Sequence, residues 1–292
     1  MSGLKEIRTR ISSIKTTRQV TSAMKMVSAA KLKKAQDGII HFRPYAKKLH
    51  EILDHLAGSM DCNKESPYCV VRDYERILIV VISSNRGLCG GFNSSIANIA
   101  EELILTHYSR QHSAGNVDIL AIGKQGERQL KSSGMKPSDN RNNLWNNFSF
   151  ESTVEIVDEI MKDFLKGRYD KVDLVYNEFV NAAVQSPVIS DFLPVRVENK
   201  ESISDSGLAI YEPSGSEIAI ELVPMMLKTE FYKALLDSFA SEHGARMTAM
   251  HMATDNATDL INELTLQYNK ARQATITKEI LEISAGAEAL RG

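Results

Sequence analysis

The chain has 292 residues, 43% of them hydrophobic and 25% charged, which is ordinary for a soluble protein and enough to bury a real core. Its longest apolar run, Ile77 to Ile82, is too short to cross a bilayer, and three cysteines without a CxxC pair argue against a disulfide scaffold or a structural zinc site. The net charge of -2 conceals an asymmetry: Met1 to His50 holds twelve Lys or Arg against Glu6 and Asp37, so this arm carries +10 and the remainder -12. A basic arm seeks a negative partner, which could be nucleic acid, anionic lipid or an acidic protein surface. No reading motif or aromatic platform accompanies it, and a solvated helix face explains the charge equally well.

From Met1 to about Gln36 the residues Leu4, Ile7, Ile11, Ile14, Thr17, Thr21, Met24 and Val27 recur at steps of three and four. This predicts a long helix whose stripe is not a strict heptad, because an extra step of three follows Ile14. Met1 to Arg10 is charged and no apolar segment follows, unlike a signal peptide. Gly38 and Pro44 punctuate the arm, and helical spacing resumes at Tyr45, Leu49, Ile52, Leu53 and Leu56. Asp61 to Tyr68, flanked by Cys62 and Cys69, reads as a loop.

The middle of the chain alternates strands and helices. Strands are expected at Arg76–Ser83, Val117–Ile122, Val172–Phe179 and Pro187–Val197, and helices at Ser94–Ser109, after Gly123 through Leu130, and at Val154–Leu165. The Asn-rich stretch Asp139–Phe150 has no clear period, and its Trp145 and Phe148 are expected to find partners by packing. Glu198–Gly207 reads as an exposed loop, and a polar segment from Tyr211 leads to Ile218, Ile220 and Leu222 before Pro224. This order predicts a small α/β domain with an open, Rossmann-like sheet.

Ser83–Asn93 (SSNRGLCGGFN) lies between a buried strand and a helix, where a dinucleotide-binding loop would sit. Its spacing is neither GxGxxG nor GK[ST], and the second strand ends Ala121-Ile122-Gly123 without the acidic residue that would bind a ribose. A tight turn that needs glycine is the better reading, with Arg86 available for an interface. The seven His show no HExxH or ligand spacing, there is no GxSxG, and Cys89 has no sequence-evident His partner. No catalytic, cofactor-binding or metal residue is assigned.

The last stretch organises the chain. Met247, Met250, Thr254, Ala257, Ile261, Leu264, Tyr268 and Ala271 form a coiled-coil stripe, and no Gly or Pro interrupts Ala245 to Ala285. That is about 40 residues, or roughly 60 Å of helix. The fold expected is therefore α/β: a central open-sheet domain over residues 70–222, with the N-terminal arm (1–58) and a C-terminal helix (224–292) forming an antiparallel coiled coil. Two ordinary helices over one core are the alternative. Arg272, Gln273 and Thr277 stand on the long helix where they could hydrogen-bond outward, and Arg272 could pair bidentately with a carboxylate.

Three long motifs carry a family resemblance over essentially the whole chain. They are IRTRISSIKTTRQVTSAMKMVSAAKLKKAQ at Ile7–Gln36, the glycine loop at Ser83–Asn93, and Ala245–Leu290 with its ITxExxE and GAxA. The chain resembles the gamma subunits of F-type ATP synthases, with Asn85 where the family often has Asp. No thiol-bearing regulatory insertion of the chloroplast type is present, and no presequence precedes the helix motif, so a bacterial origin is expected. The resemblance implies a rotating central stalk without an active site of its own. Its partners would be an alpha3-beta3 hexamer that binds ATP, ADP and Mg, an epsilon subunit, and a c-subunit ring at the cytoplasmic face of the plasma membrane. It further implies that Met24, Lys25, Arg272, Gln273 and Thr277 face the alpha and beta subunits. Arg86, Leu88 and Asn93 fall within the region expected to meet the ring or epsilon. An acidic beta loop would complement the basic arm, with no nucleic acid involved. A non-rotary coiled-coil scaffold, or a nucleic-acid-binding protein with a basic helix, is the competing function.

Overall fold

In the computed structural model the described residues are 2–57, 66–195 and 215–289. Cys62, the Glu198–Gly207 loop and Tyr211–Pro213 lie outside them. The elements in chain order are helix α1 (Ser2–Ala57), strand β1 (Ile77–Ile82), α2 (Phe92–Thr106), α3 (Ser109–Ser113), β2 (Val117–Ile122) and α4 (Lys124–Ser132). They continue with β3 (Asp139–Asn140), a 3-10 turn (Asn142–Asn146), α5 (Phe150–Leu165), β4 (Lys171–Phe179), β5 (Gln185–Leu193) and α6 (Gly215–Ala289). By contacts the chain divides into two units: residues 1–28 with 247–292, and residues 29–246.

The larger unit is built on a five-stranded sheet in the order β3-β2-β1-β4-β5, parallel except for β5, which pairs antiparallel with β4. Every residue of β1 is buried, so its unbroken ILIVVI run feeds two cores. Leu78, Val80 and Ile82 join a core with α5, Leu49 and Leu53 of α1, and the Val223–Leu235 part of α6. Ile77, Ile79 and Val81 join a second core with Ile96, Ala100, Leu103 and Ile104 of α2 and Leu130 of α4. The period of two in a strand divides one sequence between two faces.

Three local readings change. Helix α1 passes through Gly38 and Pro44 without a break. A helix-interior proline costs about 3 kcal/mol, but burying two leucines yields about 1.5–3 kcal/mol each. Leu49 and Leu53 are 5% and 7% exposed beyond Pro44, so the packed continuation outweighs the lost hydrogen bond. Helix α6 begins at Gly215 and runs through Pro224 and Gly244. Val223, Met226, Leu227 and Phe231 are buried around that proline, and a Cβ on Gly244 would meet the Ala182 carbonyl at 3.1 Å. The Asn-rich stretch supplies the short β3 and the 3-10 turn, then Ser149 caps α5 with a reciprocal Ser149–Ser152 capping box. Trp145 and Phe148 pack on each other and on Phe239 of α6, with centroids at 5.4, 5.8 and 5.6 Å.

The smaller unit is the antiparallel coiled-coil pair of the first turns of α1 with the last part of α6. On α6 the stripe read from the sequence is the covered one, with Met250, Ala257, Ile261 and Leu264 buried and Met247, Thr254, Tyr268 and Ala271 half-buried. On α1 the covered positions from Leu4 to Ser28 are Leu4, Ile7, Ile11, Ile14, Arg18, Thr21, Ser22, Met24, Lys25 and Ser28, with Ser22 and Met24 flanking the stripe formed by the other eight. Thr17 is exposed and Val27 is 58% exposed, so neither belongs to the seam. The steps from Leu4 to Ser28 alternate strictly between three and four once Arg18 and Ser28 are accepted as seam residues. The irregularity disappears because the heptad continues through polar positions. Across the pair, Thr21 Oγ1 and Thr254 Oγ1 are 2.8 Å apart. Each hydroxyl also reaches a carbonyl on its own helix, Thr254 that of Met250 at 2.7 Å and Thr21 that of Arg18 at 3.1 Å, so either can donate across the pair.

Candidate functional site

The turn from β1 into α2 is braced both from within and by distant residues of the chain. Ser84 N–H donates to Asn93 Oδ1 at 3.0 Å, its hydroxyl donates to the Arg86 carbonyl at 2.7 Å, and Asn93 Nδ2 donates to Cys89 Sγ at 3.2 Å. Asn85 uses both ends of its amide: Nδ2 donates to the Asn142 carbonyl at 2.9 Å, and Oδ1 accepts from Lys124 N at 3.1 Å. An aspartate at this position would keep the acceptor and lose the donor.

The glycine requirement is real but unevenly distributed. Gly90 has φ 58 and, unexpectedly, so nearly does Leu88 at φ 63, which is an uncommon conformation for a branched side chain. The tightest position is in the next crossover. Gly123 has φ 119, and a Cβ there would lie 2.2 Å from the Ser83 carbonyl oxygen. Ser83 Oγ accepts from Gly126 N at 3.0 Å, so the ends of β1 and β2 close on each other where a phosphate-binding loop would need open amides.

The crevice between the ends of β1 and β4, where the strand order reverses, is the usual ligand position in such sheets. Here α6 occupies it. Ser241 Oγ donates to the Asn177 carbonyl at 3.2 Å, Asn177 Nδ2 donates to the Phe92 carbonyl at 3.1 Å, and Ala245 packs with Cys89 and Phe92. Arg246, 5% exposed, donates to the Arg86 carbonyl at 2.7 Å and to the Gly87 carbonyl at 3.3 Å. Burial raises the pKa of the Cys89 thiol, partly opposed by Arg246, so the one loop cysteine is not an activated nucleophile. Among the described residues no three His, Cys, Asp or Glu side chains could hold a metal ion.

The residues singled out from the sequence fall into three places. Arg86 is exposed and Leu88 is 64% exposed, both on the outside of the glycine turn, whereas Asn93 is only 7% exposed and ties the turn together. Met24 and Lys25 are half-buried on α1. Arg272, Gln273 and Thr277 are exposed on α6, with the Thr277 hydroxyl donating back to the Gln273 carbonyl at 2.9 Å. Glu242 and Arg246 were missed. The available signal was a Glu–Arg pair at i,i+4 inside a run, SFASEHGARM, whose small and apolar residues mark a helix buried on every side.

A coiled coil paired with an open α/β sheet, whose switch-point crevice is filled by its own helix, defines an interaction subunit. The chain belongs to the ATP synthase family, whose family model matches residues 3–290. It is 50% identical over 292 residues to the ATP synthase gamma chain of Flavobacterium johnsoniae, covering all of both chains. It is 43% identical to that of Geobacter metallireducens over 292 residues, again covering all of both. Among solved structures it matches a chain of the Tetrahymena thermophila mitochondrial ATP synthase central stalk and c-ring with TM-score 0.57 and 25% identity, covering 80% of this chain and 99% of that one. A Euglena gracilis mitochondrial ATP synthase chain shares the fold with TM-score 0.70 over 99% of this chain and 95% of that one, at 20% identity.

Proposed function

We propose that this chain is the rotor of an F-type ATP synthase: it couples ion flow through a c-subunit ring to ATP synthesis or hydrolysis at beta subunits and performs no chemistry itself. Its partners are an alpha3-beta3 hexamer, an epsilon subunit and the ring, at the cytoplasmic face of the bacterial plasma membrane. No helix among the described residues is long and apolar enough to cross a membrane, so attachment runs through the ring.

The observation that carries this reading is the far end of α6. From Ile276 to Ala289 every residue is exposed, and Ile276, Ile280, Leu281 and Ile283 are 44%, 60%, 64% and 72% exposed. Ile276, Ile280 and Ile283, at i, i+4 and i+7, share one face with Leu281 off it, and an exposed apolar stripe of this kind marks a surface that meets a partner. Arg272 and Gln273 sit just before that end and Thr277 within its first turn, and the three supply the polar contacts with beta. Such contacts can be made and broken as the shaft turns, because a seam of apolar contacts alone would bind one beta state too firmly. Met24 and Lys25 face the catalytic subunits from the other helix. The exposed Lys5, Arg8, Arg10 and Lys15 supply the positive surface for an acidic beta segment. Arg86 and Leu88 are assigned to the ring or epsilon side, with Asn93 shaping that turn from inside. In thermodynamic terms the rotor couples two equilibria because it contacts each beta state differently.

Affinity isolation of the tagged chain from native membranes tests this directly. One copy recovered with three alpha, three beta, epsilon and the ring, together with ATPase activity, is the expected result. Recovery of the chain alone or with nucleic acid would overturn it.

A further inference from the structure

Arg246 is bonded more completely than its place on a helix requires. Nη1 donates to Glu242 Oε1 at 2.6 Å and lies 3.3 Å from His243 Nδ1. Nη2 reaches the carbonyls of Arg86 and Gly87 at 2.7 and 3.3 Å, and Nε reaches that of Gly87 at 3.3 Å. All five guanidinium N–H groups therefore have an acceptor. Burial first, then Arg246 and Lys31, depress the His243 pKa to about 3, so its ring is neutral and Nδ1 can accept. Glu242 and Arg246 are only 8% and 5% exposed.

A buried ion pair gains little stability over apolar residues of similar volume, so its value lies in direction. A rigid fork on two successive carbonyls turns them toward α6 and leaves the next residue, Leu88, facing out at φ 63 with 64% of its surface exposed. An apolar contact in the same place would hold the turn without orienting it. The next residue along, Met247, is the first of the coiled-coil part of α6, so the fork grips the turn from the last helix position before the coil begins.

We propose that Arg246, braced by Glu242, is a positioning residue for energy coupling: it locks the Arg86–Leu88 turn to α6 so that torque carried along the helix reaches that exposed turn without slack. This rests on the rotor reading above.

The test uses the assembled enzyme in inverted membrane vesicles together with amide hydrogen exchange on the purified chain. Arg246→Lys retains the charge beside Glu242 but cannot span two carbonyls. The double variant Glu242→Gln with Arg246→Met removes the fork without stranding a buried carboxylate. In both, the turn's hydrogen-bonded amides, Ser84 on Asn93 Oδ1 and Phe92 on the Cys89 carbonyl, should exchange about tenfold faster. Protons pumped per ATP hydrolysed should fall about threefold or more while hydrolysis continues, with Arg246→Lys the milder. Unchanged exchange, or faster exchange with an unchanged pumping ratio, overturns the proposal. Failure of both variants to assemble would also overturn it, because Arg246 would then be needed for folding alone. Failure of the unaltered chain to assemble with ring and hexamer would instead strike the rotor reading, and the exchange result would still report on the fork.

Discussion

Asp237 is the sharpest place to test the energetics of the larger unit. It is 5% exposed on α6 and interacts with Arg43 of α1, Tyr176 and Glu178 of β4, and Lys233 on its own helix. Burial chiefly, with Glu178 adding to it and Lys233 and Arg43 opposing, moves its pKa from 3.8 to about 6. The folded state thus holds this proton more tightly than the unfolded chain does. Well below about pH 4 both states are protonated and the site costs nothing. Between there and pH 6 the unfolded chain ionises first, so stability falls as pH rises. Above pH 6 the loss is complete, at about 3 kcal/mol when a shift of this size is converted at 1.36 kcal/mol per pH unit. Asp237→Asn cannot ionise and escapes the loss. Relative to the unaltered chain it should gain about 2.4 kcal/mol on going from pH 4 to pH 7.5, since about 0.6 kcal/mol is already lost at pH 4, whatever constant cost the amide itself introduces. Urea unfolding of both chains at the two pH values measures that difference of differences. If the variant and the unaltered chain differ by the same amount at both, burial of this carboxylate does not carry the energy assigned to it.

Gly123→Ala places a Cβ 2.2 Å from the Ser83 carbonyl oxygen at φ 119 and should lower the urea midpoint far more than Gly134→Ala, where φ is 85 but nothing lies within 4 Å. Equal losses would mean that only φ matters there. In the coiled coil, a double-mutant cycle of Thr21→Val and Thr254→Val should return a coupling of about 0.5–1.5 kcal/mol for the hydroxyl bond. A cycle that closes at zero would show the two hydroxyls to be independent. Met24→Lys adds a cation at a half-buried position next to Lys25 and should lower protons pumped per ATP hydrolysed in the assembled enzyme. An unchanged ratio would remove Met24 from the coupling surface.

The strands were the easiest part to read, because burial on two faces leaves no polar residue in ILIVVI to blur the signal. Boundaries were harder wherever tertiary contacts overrule local preference. Pro44 and Pro224 mark helix ends by propensity, yet leucines and a phenylalanine packed beyond them keep both helices going. The Asn-rich stretch had no period to find, since its residues serve as single contacts: Asn142 Oδ1 accepts from Gly123 N at 2.8 Å and Nδ2 donates to Glu127 at 2.6 Å. Among the site residues, exposure of Arg272, Gln273 and Thr277 follows from the stripe, whereas the burial of Asn93 depends on a turn whose shape no spacing encodes.

The α1 seam shows most clearly what pattern reading leaves out. A search for apolar residues after Ile14 selects Thr17 and Val27, but the partner helix accepts Arg18 and Ser28. With Thr21 level with Thr254 in an antiparallel pair, Arg18 falls opposite Ala257, a residue small enough to leave room for its stem. Ile14 and Ile11 fall opposite Ile261 and Leu264, where two branched chains fill the same gap. The α1 side of the seam is therefore apolar toward its start and polar toward Ser28, where α6 supplies Met250 and Met247. A heptad defined by geometry can change its chemistry midway without losing its period. A coil that must stay paired while its outer surface is gripped and released gains cohesion from the isoleucine half. The other half adds the Thr21–Thr254 bond at 2.8 Å to the cover that Met250 and Met247 give, so the loss of that bond should be felt locally while the isoleucine half stays closed.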